Sequence, residues 1–270
     1  MIDIDTHIRL RNEYSPEDSP LRKHQLAMLE ILKYIDNICL DNDITYWLSS
    51  GSCLGAVRHG GFIPWDDDVD IEMMREDYLK FLKVFKSNDQ YVLQTYKNDL
   101  FYFSVFAKVR NRNTIIYDSL YKYRGIFVDV FALEYTNNAL ALLAEKMRKP
   151  FSWHFYRFIK KYRANRFIYF SCVPFFVLFK YLYFTTLPLF RVITKILPNN
   201  QLRHMYGVGW VKNVRVAEEI IKPIRIPFEG IMLPVPKHYD QYLTRIYGKD
   251  YMLIPPKESI PRGHVEFFDS

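Results

Sequence analysis

Gly51-Ser52-Cys53-Leu54-Gly55-Ala56-Val57-Arg58-His59-Gly60-Gly61-Phe62-Ile63-Pro64-Trp65-Asp66-Asp67-Asp68-Val69-Asp70-Ile71 places four carboxylates within five positions, just after a glycine-rich turn. Charges of one sign held this close repel each other, and a divalent cation is the natural relief. Read as extended chain from Pro64, alternate side chains share a face. Asp66, Asp68 and Asp70 then point one way, while Val69 and Ile71 give Asp70 apolar flanks suited to a core. Magnesium takes hard oxygen ligands, commonly one or two carboxylates plus substrate phosphates, which suits Asp68 and Asp70 two residues apart.

Upstream, the apolar run Ile44 to Leu48 leads into Gly51-Ser52, and Leu54, Ala56 and Val57 follow. This reads as strand, tight turn and helix opening, with Ser52 as the N-cap. A helix N-terminus offers unpaired N–H groups and the positive end of the dipole, so Gly51 and Ser52 are candidates to hold a phosphate against metals carried by the aspartates. Gly-Ser followed at a distance by Asp-apolar-Asp is the pattern of the nucleotidyltransferase superfamily. The fuller string from Gly55 to Asp70 resembles the LicD family of phosphorylcholine transferases, and its Trp65-Asp66-Asp67-Asp68-Val69-Asp70 core is similar to that of fukutin-related protein. An acidic cluster beside glycines also occurs as a solvated turn or a lone cation site; the length and order of the match argue against that here.

Further along, Phe127-Val128-Asp129-Val130-Phe131 sets a carboxylate inside an apolar strand, which is costly unless partnered. The segment resembles its LicD counterpart, and the resemblance implies that Asp129 is the third carboxylate, a metal ligand or general base from a neighbouring strand; the alternative is a structural Asp capping a loop. Phe106 to Thr114 is also similar to LicD proteins. There Lys108 and Arg110 fall on alternate strand positions and face the same way, suited to pyrophosphate oxygens or, equally, to a solvated edge strand. Arg58 and His59 are candidate donor-phosphate contacts and also suit the C-terminal end of a helix, where cations answer the dipole. Tyr239 to Met252, Pro255-Pro256 and a trailing His264 resemble the C-terminal LicD signature, which makes His264 a candidate phosphate contact as well.

Elsewhere the pattern is mixed. Met1 to Ser19 is polar and reads as loosely ordered, and without an apolar core it argues against export. Leu21 to Leu40 and Arg75 to Lys86 carry helical apolar stripes, with Ser19 capping the first and Pro20 at its first position. Tyr91–Thr95, Tyr102–Val109, Thr114–Tyr117 and Ile126–Phe131 favour strand. Ile224 to Leu233 forms a hairpin pattern about Glu229-Gly230, and a helix over 237–247 ends at Gly248. The expected fold is α+β: a nucleotidyltransferase-like mixed sheet flanked by helices. The expected parts are a catalytic core over 1–136, a basic aromatic helical insertion over 137–222 and a C-terminal hairpin and helix over 223–270.

The 270 residues include 17% aromatics, with 21 Tyr and 21 Phe, which points to an aromatic pocket or a lipid-facing surface,. Cys39, Cys53 and Cys172 have no metal-site or disulfide spacing and suit a reduced cytoplasmic protein. Of 37 Lys and Arg, fourteen lie between Lys146 and Ala217, a stretch without Asp or Glu, so the net charge of +7 comes from this block. Such a block suits an anionic surface, expected at the inner face of the cell membrane, or a polyanionic acceptor better than an ordinary solvated face. Within it, Phe167 to Phe190 carries only Lys180 as a charge and Pro174 and Pro188 as breakers. Lys180 near its middle and Pro174 weaken a true span; an interfacial or re-entrant helical pair is expected, with an aromatic globular subdomain as the alternative.

The resemblance implies transfer of a phospho-alcohol such as phosphocholine from a CDP-linked donor to a hydroxyl of a cell-surface glycan or glycolipid precursor, with release of CMP. Mg2+ or Mn2+, two ions, would sit on Asp68, Asp70 and Asp129, with Asp66 beside them. The rivals are nucleotidyl transfer from a nucleoside triphosphate and a non-catalytic adaptor that binds membrane; nucleic acid is not an expected partner.

Overall fold

The computed structural model describes residues 2–116, 119–209 and 211–260. The polar N-terminal segment is ordered, contrary to expectation. Asp3 accepts the Thr6 amide at 2.8 Å and caps α1 (Ile4–Tyr14), which Leu10 anchors in the core,. In α2 (Pro20–Asp41) the expected start is met: Ser19 accepts the Arg22 amide at 3.1 Å, and the apolar stripe from Met28 to Ile35 is buried.

Six strands form one mixed sheet: β1 (Trp47–Leu48), β2 (Asp70–Met74), β3 (Tyr91–Gln94), β4 (Ala107–Asn111), β5 (Phe127–Thr136) and β6 (Gln201–His204). Their order is β1-β2-β5-β4-β3, with β6 also paired to β5. β2 and β5 run parallel and every other pair is antiparallel. β5 is the centre: β2 lies along one side of it, and β4 then β6 lie along the other. The helices α2 and α4 (Arg75–Val84) pack on this sheet, so the α+β class with a helix-flanked mixed sheet is borne out.

Three local readings differ. The extended chain begins at Asp70 rather than Pro64, because Pro64 to Val69 is a turn and loop in which the Asp66 amide donates to Ile63 O at 2.9 Å. β4 starts at Ala107, and Phe101 and Phe103 lie in the loop before it with their rings packed on Phe176. Thr114 to Ile116 forms no strand, and Tyr117 lies outside the described residues.

Beyond β5, α5 (Asn138–Lys149), a π-helical turn and α6 (Tyr156–Lys161) lead to α7 (Arg166–Thr194), a single helix of 29 residues. Pro174 and Pro188 do not break it, so there is no helical pair. Its inner side chains Phe176, Tyr183, Leu187 and Phe190 stay packed on the core throughout, and that packing overrides the lost backbone bonds,. The chain then returns β6 to the sheet, passes through the short α8 (Ala217–Ile220), and makes the hairpin of β7 (Ile224–Phe228) and β8 (Ile231–Val235). Glu229 and Gly230 have φ of 48° and 81°, as a two-residue hairpin turn requires,. α9 (Tyr239–Tyr247) ends at Gly248, φ 90°.

Candidate active site

The site is built where β1 ends, α3 (Ser50–His59) begins and β2 starts beside β5. α3 opens at Ser50, two residues earlier than its expected cap. Ser49 holds the cap position and donates its amide to Asp70 O at 2.9 Å. Ser52 acts elsewhere, since its hydroxyl accepts the Asp70 amide at 2.9 Å and ties the turn to the first residue of β2. The Cys53 amide makes the first intrahelical bond, to Ser49 O. Gly51 and Ser52 are therefore first-turn amides with no acceptor inside the helix, at its positive end. Ser50 has a φ of 45°, a conformation side chains rarely adopt and one that concentrates at functional turns,.

Facing that corner, Asp70 and Asp129 are register partners across parallel β2 and β5, and Lys108 is the register partner of Asp129 on β4. Side chains paired this way lie on one face, so two carboxylates and an ammonium form a row. Lys108 Nζ is 2.5 Å from Asp129 Oδ1 and 3.4 Å from the Phe127 ring centre. Burial lowers the Lys108 amine pKa and the Asp129 charge opposes that; burial raises the Asp129 carboxyl and Lys108 opposes it.

Asp66 and Asp68 complete the acidic rim from the loop. Asp66 is raised by burial, then by the charge of Asp68 and a hydrogen bond to it; Asp70 is raised by burial, then by Asp68 and Asp129. The loop is held from behind by α2. Gln25 Nε2 donates to Ile63 O at 3.3 Å and Asp66 O at 3.0 Å, and His24 Nε2 lies 2.9 Å from Asp67 O, which makes that nitrogen the donor. Gly51 packs on the rim: a Cβ there would stand 3.1 Å from Asp66 Oδ2 and 3.9 Å from the Tyr247 hydroxyl.

The other predicted residues have different employment. Arg110 shares the face of Lys108 but is fully buried, with Nε donating to Gln94 Oε1 at 2.5 Å and Nη1 to Gly125 O at 2.6 Å. Arg58 donates Nη1 to the Tyr251 and Leu253 carbonyls at 2.9 and 3.0 Å, and its Nε to His59 Nε2 at 3.0 Å. Arg58 thereby clamps the C-terminal segment, although the Asp66 charge also acts on it. His264 lies outside the described residues.

Two features were missed by sequence reasoning. Tyr247 reaches the rim from α9, its hydroxyl pKa raised by burial and by the charges of Asp66 and Asp70. Beneath the row, two residues along β2, Glu72 is fully buried. It accepts from Trp47 Nε1 at 3.0 Å and Arg215 Nη2 at 2.7 Å, and lies 2.9 Å from His204 Nε2 and 3.4 Å from the Tyr242 hydroxyl. Burial would raise this carboxyl, but Arg215 and His204 outweigh it and hold it well below the usual range. The Tyr242 hydroxyl also receives the Ser50 amide at 3.1 Å, so α9 braces the start of α3. The signal for both tyrosines was the i, i+3, i+4 stripe inside Tyr239 to Tyr247.

Carboxylates from two neighbouring strands facing the amides of a strand-to-helix turn make a site suited to phosphate chemistry. A family model described as LicD/FKTN/FKRP, nucleotidyltransferase domain, matches residues 43–164, which span the turn, the acidic rim and Asp129. The lipopolysaccharide cholinephosphotransferase LicD of Haemophilus influenzae is 30% identical over 273 aligned residues, 91% of this chain and 96% of that protein. The chain belongs to the LicD family. Ribitol 5-phosphate transferase FKRP of Homo sapiens is 45% identical over 51 residues, 19% of this chain and 10% of its own. Ribitol-5-phosphate transferase FKTN of Mus musculus is 41% identical over 49 residues, 18% and 11% of the two chains.

Proposed function

We propose that this protein is a phosphotransferase that moves a phospho-alcohol, phosphocholine or a close analogue, from a CDP-linked donor to a hydroxyl of a cell-surface glycan or glycolipid precursor, releasing CMP. The observation that carries the reading is the pairing of Asp70 with Asp129 across β2 and β5, with Ser52 bonded to the Asp70 amide. The names of the relatives, a cholinephosphotransferase and two ribitol-phosphate transferases, support the class of group transferred.

A divalent cation fits the donor set. The carboxyl oxygens are hard ligands, and burial together with mutual repulsion already raises Asp66 and Asp70,. Among the described residues no three His, Cys, Asp or Glu side chains are gathered tightly enough to hold a metal as they stand. Asp68, Asp70 and Asp129 would hold Mg2+ or Mn2+, with Asp66 beside them. Bound there, two ions would neutralise the charge that develops on the diphosphate. The chain's own groups supply the rest. The Gly51 and Ser52 amides receive a phosphate oxygen at the helix N-terminus. Lys108 brings positive charge to the same row. Asp129 accepts the proton of the attacking hydroxyl. Displacement at phosphorus asks mainly for this positioning and charge neutralisation.

Incubation with labelled CDP-choline, CDP-ethanolamine, CDP-glycerol and CDP-ribitol plus Mg2+, and separately with each nucleoside triphosphate, tests the reading. CMP release from a CDP-alcohol that Asp70→Asn abolishes is expected. Pyrophosphate release from a triphosphate instead would make the protein a nucleotidyltransferase.

A further inference from the structure

We propose that the outward face of α7 docks on an anionic lipid surface, with the helix lying in the plane of the interface. Of its side chains, Phe167 is 82% exposed, and Phe170, Phe175 and Tyr181 are each 68% exposed. With Leu178 and Leu189 they are spaced by three, five, three, three and eight residues, which at about 100° per residue keeps all six within an arc of roughly 140°, one stripe along the helix,. An apolar face of this length does not belong against water.

The charges of α7 are arranged to suit lipid. Lys180, the one cation in the middle of the apolar run, turns inward and donates to the Asp99 and Leu100 carbonyls at 2.7 and 2.8 Å. Arg191 also turns inward, 2.7 Å from Glu134. The outer face between Phe167 and Val192 is therefore free of charge among the described residues. Exposed cations gather at its ends instead, Lys161, Arg163 and Arg166 before it and Lys195 after it. Basic ends on an apolar stripe match a bilayer in which acyl chains take the stripe and anionic headgroups take the ends. A second copy of the chain would bring the same cations to the same face and repel.

The helix lies along the surface rather than across it. At about 1.5 Å per residue α7 is roughly 43 Å long, beyond the ~30 Å hydrocarbon core. A span would also strip Tyr183, Leu187 and Phe190 from the core and Lys180 from its carbonyls.

Flotation of the full chain with phosphatidylcholine vesicles, with and without phosphatidylglycerol, tests this. The wild type should float with the anionic vesicles. Phe175→Asp with Leu178→Asp should cut partition about tenfold or more, and Arg163→Glu with Arg166→Glu should remove only the preference for anionic lipid. Leu178→Trp, at an exposed site that accepts it, should be quenched by brominated lipid, which settles the matter if an Asp variant melts early. A wild type that stays unbound, a Leu178→Trp fluorescence that brominated lipid leaves unquenched, or a lipid-free dimer dissolved by Phe175→Asp would each overturn it. Docking rests on the α7 surface alone, so a protein that floats yet transfers nothing would leave it standing.

Discussion

Asp70 and Asp129 lie opposite each other because β2 and β5 are parallel neighbours with no offset at that rung. Burial raises both carboxyls; the charges of Asp68 and Asp129 add to it at Asp70, whereas Lys108 opposes it at Asp129, so Asp70 is a cost to the fold unless something neutralises it and Asp129 is one half of a buried ion pair,. Asp70→Asn and Asp129→Asn should each lower transfer by about 10²–10³-fold or more; the metal-free melting temperature should stay level or rise for Asp70→Asn and fall for Asp129→Asn, which leaves the buried Lys108 ammonium without its carboxylate,. Enzyme assay and calorimetry on the same preparations check both halves. Glu72 is the reverse case, a buried carboxylate held by its partners. Arg215→Met leaves that charge without its main cation and should cost about 3–5 kcal/mol in a urea titration,. Residue identities alone singled out Asp68, Asp70 and Asp129, since carboxylates in an apolar setting stand out. They could not single out Glu72, because nothing in Ile71-Glu72-Met73 shows that Arg215 and His204 arrive from more than a hundred residues away.

At the scale of elements, α3 is the piece that must be placed most tightly. Its Gly55 lies against the returning loop, where a Cβ would meet Gly61 O at 2.5 Å and Ile63 N at 3.2 Å. Gly55→Ala should therefore push the acidic loop away from the turn, costing about 1–3 kcal/mol by denaturant unfolding and reducing transfer with it. Local patterns announced most elements of this kind. α2 follows from Ser19-Pro20 and its stripe, and the hairpin follows from Glu229-Gly230. For α7 the local pattern points to two pieces, because Pro174 and Pro188 are strong signals. Packing of the inner side chains, a long-range effect, decides otherwise. The same packing explains why a lysine stands in the middle of an apolar run, since Lys180 closes α7 onto the loop after β3.

For the molecule as a whole, α7 is wired to the sheet through that lysine. Asp99 gives its carbonyl to Lys180 and its carboxylate to Gln94 at 2.6 Å, and Gln94 in turn holds Arg110. Burial lowers the Lys180 amine from 10.5 to about 8, with the Asp99 charge opposing. Between those values the unfolded chain binds the proton that the folded chain has released, so this group makes stability rise with pH across that window. The difference in urea midpoint between wild type and Lys180→Met should therefore grow in favour of the wild type from pH 8 to 10.5. By itself the sequence determined the class of fold, the acidic rim, the amide-rich turn and the family, because these rest on local periodicity and on residues adjacent in the chain. Only the tertiary structure decided that Asp129 pairs with Asp70, that Ser52 ties the turn to β2, that Arg58, His59 and Arg110 are spent on structure, and that Lys180 leaves the outer face of α7 uncharged. Each of these is a contact between segments far apart in sequence, and which partners meet is set by strand order and helix packing, which no local pattern encodes.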